Sequence, residues 1–304
     1  MKSTLRLLVT SAAALGLAVP LAGCGGSDEG AVSKPTSPVE VSAPVPAQWQ
    51  SQKNIRVGIA CDYPPFGYTD LEGKNAGYDA EVGRAMAGYA FGDESKVQFT
   101  CVTTQNRIPY LETSKIDLII STLGYTQERT KTIDYSSPYF TSGAKLLVPS
   151  DSKITGWPQV PGQTIITKTG TTSSTFLGNC YKDSKQVLLD STSDAVTAIK
   201  DGRGVAFAED STLLLGLTLK DETLKVVGDD EATTPWGLGI RKGDAQTKKY
   251  VDAVLADMQK KDSFWGIFTK VVKDKQAVDA FSKNMPRPNQ SLEYTNEDTL
   301  SKCP

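Results

Sequence analysis

The sequence predicts an α/β fold in which largely parallel strands are covered by helices. Short β-type runs alternate with amphipathic segments from residue 54 to about residue 275, the pattern that lays helices on the faces of a parallel sheet. The chain has 304 residues, 39% hydrophobic and 22% charged, a balance that suits one or two globular domains with a substantial core. No repeat of solenoid length breaks that alternation.

Globular order is expected to start at "NIRVGIACDYPPFGY", where residues 55–60 form a β-type run ended by the paired prolines. A helix follows in "GYDAEVGRAMAGYA", with Asp79 as its cap and Val82, Met86 and Tyr89 at helical spacing. The alternation continues through "KVQFTCV", "RIPYLETS" and "IDLIIS", then through "QTIITK", a helix after Thr172, "QVLLD", the helix "SDAVTAIKDG" and the strand "GVAFA". Beyond "GLGIRKG" the chain turns helical, and Tyr250, Val251, Val254, Leu255 and Met258 line one face, as a core stripe does.

"STLGYTQERTK" raises an electrostatic question. Thr126 is a good N-cap for a helix from about residue 127, and Arg129 then falls in the first turn, where the macrodipole favours acids.

The N-terminus reads as an export address. Lys2 and Arg6 precede the apolar run "LLVTSAAALGLAVPLAG", and Leu21-Ala22-Gly23-Cys24 resembles a bacterial lipobox, so residues 1–23 are expected as a lipoprotein signal peptide and Cys24 as the lipidated first residue. Residues 24–50 are rich in Gly, Ser, Pro and Ala and read as a flexible linker between membrane and folded part. The expected location is the outer face of the cell membrane. Removing the signal peptide leaves 31 basic against 35 acidic side chains, which argues against nucleic acid as a partner. The absence of histidine removes the commonest general base and metal ligand, so neither a metal nor a cofactor is expected.

The segments "GYDAEVGRAMA", "NRIPYLETSKIDLIISTLGYTQERTKTIDYSSPYFTSGAKLLV", "KTGTTSSTFL", "GVAFAEDSTLL" and "WGLGIRKGD" resemble, in order and spacing, the family 3 solute-binding proteins, polar amino-acid receptors of ABC importers. The resemblance covers roughly residues 54–275. It implies a periplasmic-binding-protein type II fold: lobe 1 at 54–145 plus 237–285, lobe 2 at 150–232, a C-terminal tail at 286–304, and hinge crossings near 147–150 and 232–236. Trp236, near a hinge, would report closure.

The same resemblance assigns Arg129 to the ligand's α-carboxylate, helped by Thr122 and Gly124. A helix N-terminus with an added guanidinium makes an anion site, which would answer the question Arg129 poses. Many relatives carry a hydroxyl residue at Gly124, so here only its N–H could contribute. Thr171 and Thr172, after the tight turn at Gly170, would close over the same carboxylate. The ammonium would fall to Glu209 or its neighbour Asp210, and Tyr63 would pack on the ligand beside Asp62. Arg107 would meet a side-chain carboxylate, although Ala60 stands where acidic-amino-acid receptors often place a lysine. Gln105 and Asn106 could serve a carboxamide instead. Glutamate, aspartate or their amides are therefore expected as ligands, and basic amino acids are not.

With Cys24 lipidated, four cysteines permit three pairings. Cys61 and Cys101 sit near the ends of strands that are neighbours in this fold, which implies Cys61–Cys101 and hence Cys180–Cys303. The expected partners are a free polar L-amino acid, an ABC permease and, through the lipid, the membrane, with the protein a monomer and not an enzyme. Cyclohexadienyl dehydratases share the fold and a signalling sensor would share the binding chemistry, so both stand as alternatives.

Overall fold

The computed structural model describes residues 37–295 and 297–304. The expected signal peptide, Cys24 and the linker up to residue 36 lie outside the described residues.

The part of the expected linker that is described does not remain a spacer. Ala43 and Trp49 are buried, and Ala47–Gln52 forms helix α1. The Trp49 ring meets Tyr250 edge-on, with centroids 5.7 Å apart. One indole buries enough apolar surface to fix a segment whose average composition reads as linker.

After α1 come β1 (Ile55–Ile59), the short antiparallel strands β2 (Asp62–Tyr63), β3 (Gly67–Thr69) and β4 (Asn75–Ala76), then α2 (Tyr78–Phe91), β5 (Val97–Cys101), α3 (Arg107–Glu112) and β6 (Leu118–Ile119). The long strand β7 (Ile133–Pro149) leads into β8 (Thr164–Lys168), α4 (Thr172–Cys180), β9 (Lys185–Leu189), α5 (Thr192–Lys200), β10 (Ala206–Asp210) and α6 (Ser211–Thr218). A second long strand, β11 (Leu224–Arg241), returns the chain to α7 (Ala245–Lys260), α8 (Ser263–Val271) and α9 (Lys275–Ala280).

Eight strands form one sheet in the order β5-β1-β6-β11-β7-β10-β8-β9, and β2, β3 and β4 form a separate small one. β1 is parallel to β5 and β6, and β8 is parallel to β9 and β10. β7 and β11 run antiparallel through the middle and join two α/β lobes, lobe 1 built on β1, β5 and β6 and lobe 2 on β8, β9 and β10.

Residues 144–147 of β7 already pair with β10, so the first crossing precedes residue 144 and does not lie at 147–150. The change of partner happens inside one continuous strand, where hydropathy carries no mark of it. In β11 the register against β7 slips between Val227, Glu231 and Thr234, and Ala232 there adopts φ +48°.

Helix α2 packs through Val82 and Met86, both fully buried. Its N-cap is Gly77, not Asp79, which is buried within the first turn and serves the cleft instead. A Cβ at Gly83 would sit 2.9 Å from the Phe99 ring, so glycine lets α2 lie close on β5. The α7 stripe of Tyr250, Val251, Val254, Leu255 and Met258 is buried throughout. Both disulfides, Cys61–Cys101 and Cys180–Cys303, are formed, with Cα atoms 5.5 and 5.2 Å apart. Among the described residues no helix is long and apolar enough to cross a membrane.

Candidate functional site

The carboxyl ends of β1, β8 and β10 open toward one cleft between the lobes, the position that open α/β sheets reserve for ligands. It encloses a cavity of about 280 Å³. Asp62, Tyr63, Arg107, Thr122, Gly124 and Arg129 line it from lobe 1, and Thr171, Thr172, Glu209 and Asp210 from lobe 2. Residues up to 148 positions apart in sequence thus meet at one place.

Arg129 does not sit on a helix N-terminus. The segment forms only a 3-10 turn, Arg129–Lys131, in which the Arg129 N–H donates to Thr126 Oγ1 at 3.1 Å. So short a turn has no macrodipole to oppose a cation. The guanidinium is held instead by carbonyl oxygens, donating to Gly124 O at 2.6 Å and, across the cleft, to Gly170 O at 2.9 Å. Gly124 gives its N–H to Thr122 O at 3.1 Å, so that group is engaged within the turn and is not left for a ligand. A Cβ at Gly124 would meet Thr234 Oγ1 at 2.9 Å and the Thr172 methyl at 3.1 Å, which explains why no hydroxyl residue stands there.

A buried frame holds this turn from below. The Thr122 N–H donates to Asp79 Oδ2 at 3.0 Å, and Tyr139 donates to Asp79 Oδ1 at 2.8 Å, while Thr122 itself adopts φ +44°. Arg107 Nη1 donates to Ser121 O at 2.5 Å, and Arg107 Nε is buried without a partner among the described residues. Burial and the nearby Arg129 charge pull the Arg107 guanidinium down to about 10. Burial raises Asp79 to about 6.

In lobe 2, Gly170 turns at φ +76° and Thr171 caps α4, its Oγ1 accepting from Ser174 N at 3.1 Å. Glu209 and Asp210 end β10 side by side in the cavity wall, both buried. Asp210 Oδ2 accepts from the Tyr63 hydroxyl at 3.0 Å, so Tyr63 bridges the lobes through its polar tip. Glu209 Oε1 accepts from Asp210 N at 3.0 Å, and Glu209 Oε2 has no partner among the described residues. Burial, then the Asp210 charge, pushes Glu209 up to about 8; burial raises Asp210 as well, against the pull of Arg107 and Arg129.

The sequence profile of the bacterial extracellular solute-binding proteins, family 3, matches residues 55–273. The chain belongs to that family. It is 29% identical over 259 residues to the ABC transporter glutamine-binding protein GlnH of Bacillus subtilis (strain 168), a match covering 84% of this chain and 93% of the relative. The glutamine-binding protein of Geobacillus stearothermophilus is 35% identical over 196 residues, or 64% of this chain and 74% of its own. A solved cysteine-binding protein from Campylobacter jejuni superposes with a TM-score of 0.72 at 29% identity, covering 74% of this chain and 92% of the other.

Two charged residues of this solute-binding protein's cleft escape a reading of the sequence alone. Lys168, buried at the end of β8, donates to Asp62 Oδ2 and Thr192 Oγ1, both at 3.1 Å. Thr192 also donates to Asp62 from its N–H and hydroxyl, both at 3.0 Å. Against the opposing effect of burial, Lys168 and Thr192 hold the Asp62 carboxyl below its usual range. Asp190 also lines the cavity and accepts from Gln105 Nε2 at 2.8 Å and Thr169 Oγ1 at 3.0 Å. Gln105 Nε2 is thus engaged across the cleft and Asn106 Oδ1 accepts from the Thr103 N–H at 2.9 Å, and neither residue lines the cavity where a ligand carboxamide would lie. The signal for Lys168 was its place at the head of "KTGTTSSTF", immediately after the apolar strand. Besides the Glu209–Asp210 pair, the acids Asp62 and Asp190 reach the cavity, each with its own partners.

Proposed function

We propose that this solute-binding protein is a lipid-anchored, monomeric, extracytoplasmic receptor that closes on one polar L-amino acid, glutamine or glutamate before aspartate or asparagine, and delivers it to an ABC permease. The observation that carries the reading is the presence in one cavity of the Arg129 guanidinium and the buried acids Glu209 and Asp210. A zwitterion stripped of water needs a partner at each end.

Arg129 receives the α-carboxylate, with the hydroxyls of Thr122, Thr171 and Thr172 around it. Of the two acids Glu209 takes the ammonium, because Asp210 is already engaged by Tyr63 while Glu209 Oε2 lacks a partner among the described residues. The side chain then lies toward Asp62, Lys168 and Arg107. A volume of about 280 Å³ is at the low end of ligand pockets and suits a single small metabolite. The glutamine-binding relatives support an amide or acid as ligand. The lipobox cysteine and the stretch after it support the tether.

Calorimetry across the proteinogenic amino acids, on a chain beginning at Gly25, tests this together with mass spectrometry of ligand carried through purification. One-to-one binding of unchanged glutamine or glutamate is expected. Tight binding of arginine or lysine, or recovery of a chemically altered ligand, overturns the reading. For the anchor, labelled palmitate should enter the wild-type protein and not Cys24→Ala.

A further inference from the structure

Tyr294 and Leu300 stand six positions apart in sequence, yet they belong to the cores of different lobes. In lobe 1, the Tyr294 hydroxyl donates to Ser136 O at 2.6 Å. Its ring stacks on Tyr125 at 4.5 Å and meets Tyr135 edge-on at 5.8 Å. A Cβ at Gly237 would collide with the Tyr294 hydroxyl, so β11 leaves room for this ring. In lobe 2, Leu300 is buried in the cluster that holds Trp157, Phe176 and Leu177. Asn179 Nδ2 donates to Leu300 O at 3.0 Å and to Ser301 Oγ at 3.1 Å, and Cys303 is bonded covalently to Cys180 on α4.

We propose that this C-terminal anchor pair is a third connection between the lobes, beside β7 and β11, and that it couples lobe 2 to the turn carrying Arg129. The route is short. Tyr294 packs on Tyr135, whose hydroxyl donates to Gly124 O at 2.9 Å, the same carbonyl that accepts from Arg129. A small hollow between Tyr125–Gln127, the crossing at Thr233–Pro235 and the tail around Thr299 and Leu300 places the connection directly beside the second crossing. Opening the cleft separates the two anchors, so the strap resists opening and pulls on the aromatic support of Arg129 when the lobes part. A disulfide that merely stapled the tail to lobe 2 would leave lobe 1 indifferent to its loss.

Hydrogen exchange on the full-length, ligand-free protein separates these outcomes without reference to any ligand. Cys303→Ser should raise exchange several-fold in the lobe 1 peptide spanning residues 122–130, in the lobe opposite the disulfide. Exchange that changes only near residues 176–182 and the C-terminus overturns the proposal. Tyr294→Ala, which leaves the disulfide intact, should raise exchange in the same lobe 1 peptide, and Tyr294→Phe, which keeps the stacking, should largely restore it. Equal exchange in Tyr294→Ala and wild type also overturns it. With L-glutamine as probe, Cys303→Ser should release ligand about tenfold faster, a shift that one order of magnitude in koff makes readable by stopped flow. If glutamine does not bind at all, the proposed ligand fails while the exchange result still decides the strap.

Discussion

The Arg129 guanidinium of lobe 1 donates to the Gly170 carbonyl oxygen of lobe 2 at 2.9 Å, so the group assigned to the ligand's carboxylate also ties the cleft shut. The same double use recurs at Tyr63 with Asp210 and at Asp62 with Lys168. Closure and ligand recognition share their side chains here.

Arg129→Ala should therefore weaken amino-acid binding by about 3 kcal/mol, roughly 150-fold, because a buried carboxylate would be left unpaired. Thermal stability without ligand should change little, since Arg129 is only partly buried. Titration calorimetry checks this, and wild-type affinity in the variant would show that the carboxylate binds elsewhere.

Binding should strengthen as pH rises. Glu209 in the ligand-free protein is raised from the usual 4.5 to about 8. The stability this raised group contributes is fully present below 4.5 and is lost as pH rises through about 8. A bound ammonium favours the carboxylate, so affinity should climb by up to about tenfold per pH unit below that value. The melting-temperature gain from saturating L-glutamine should accordingly be larger at pH 8 than at pH 6, and Glu209→Gln should flatten the difference. An equal gain at both pH values in the wild type would exclude Glu209 as the ammonium partner.

Arg107→Met tests the side-chain end. Charged hydrogen bonds contribute about 1.5–3 kcal/mol, so loss of the guanidinium should cost glutamate at least about tenfold while glutamine loses less. Competition assays with glutamate, glutamine and leucine read this directly, and an unchanged order of preference would assign Arg107 to holding Ser121 alone.

Removing the Cys61–Cys101 bond should lower folding stability by about 4 kcal/mol, the chain-entropy value for a loop of 40 residues. Both cysteines line the cavity, so the paired Cys61→Ser and Cys101→Ser variant should also bind more weakly. Denaturant melts showing under about 1 kcal/mol of loss would mean that β1–β5 pairing alone holds this edge of lobe 1.

Much of this protein is legible from local pattern. The alternation of strands and helices and the α7 stripe are signals carried by spacing, because burial imposes periodicity wherever an element has one apolar face, whereas the ten residues assigned to the ligand site came with the family resemblance. The resemblance to the solute-binding family supplied the two-lobed topology and, with it, the disulfide pairing. What only the tertiary structure decided depends on contacts between distant segments. Asp79 reads as a helix cap and becomes the buried acceptor for Thr122; the segment after Thr126 reads as a helix and closes as a single 3-10 turn, its arginine held by two carbonyl oxygens. Lys168 reads as the end of a strand and finds Asp62 across the cleft. Trp49 anchors what reads as linker, and the tail joins both lobes through Tyr294 and Leu300. A sequence window contains the residue but not its partner, and for a buried polar or aromatic side chain the partner fixes the role, since desolvation without one is too costly to persist.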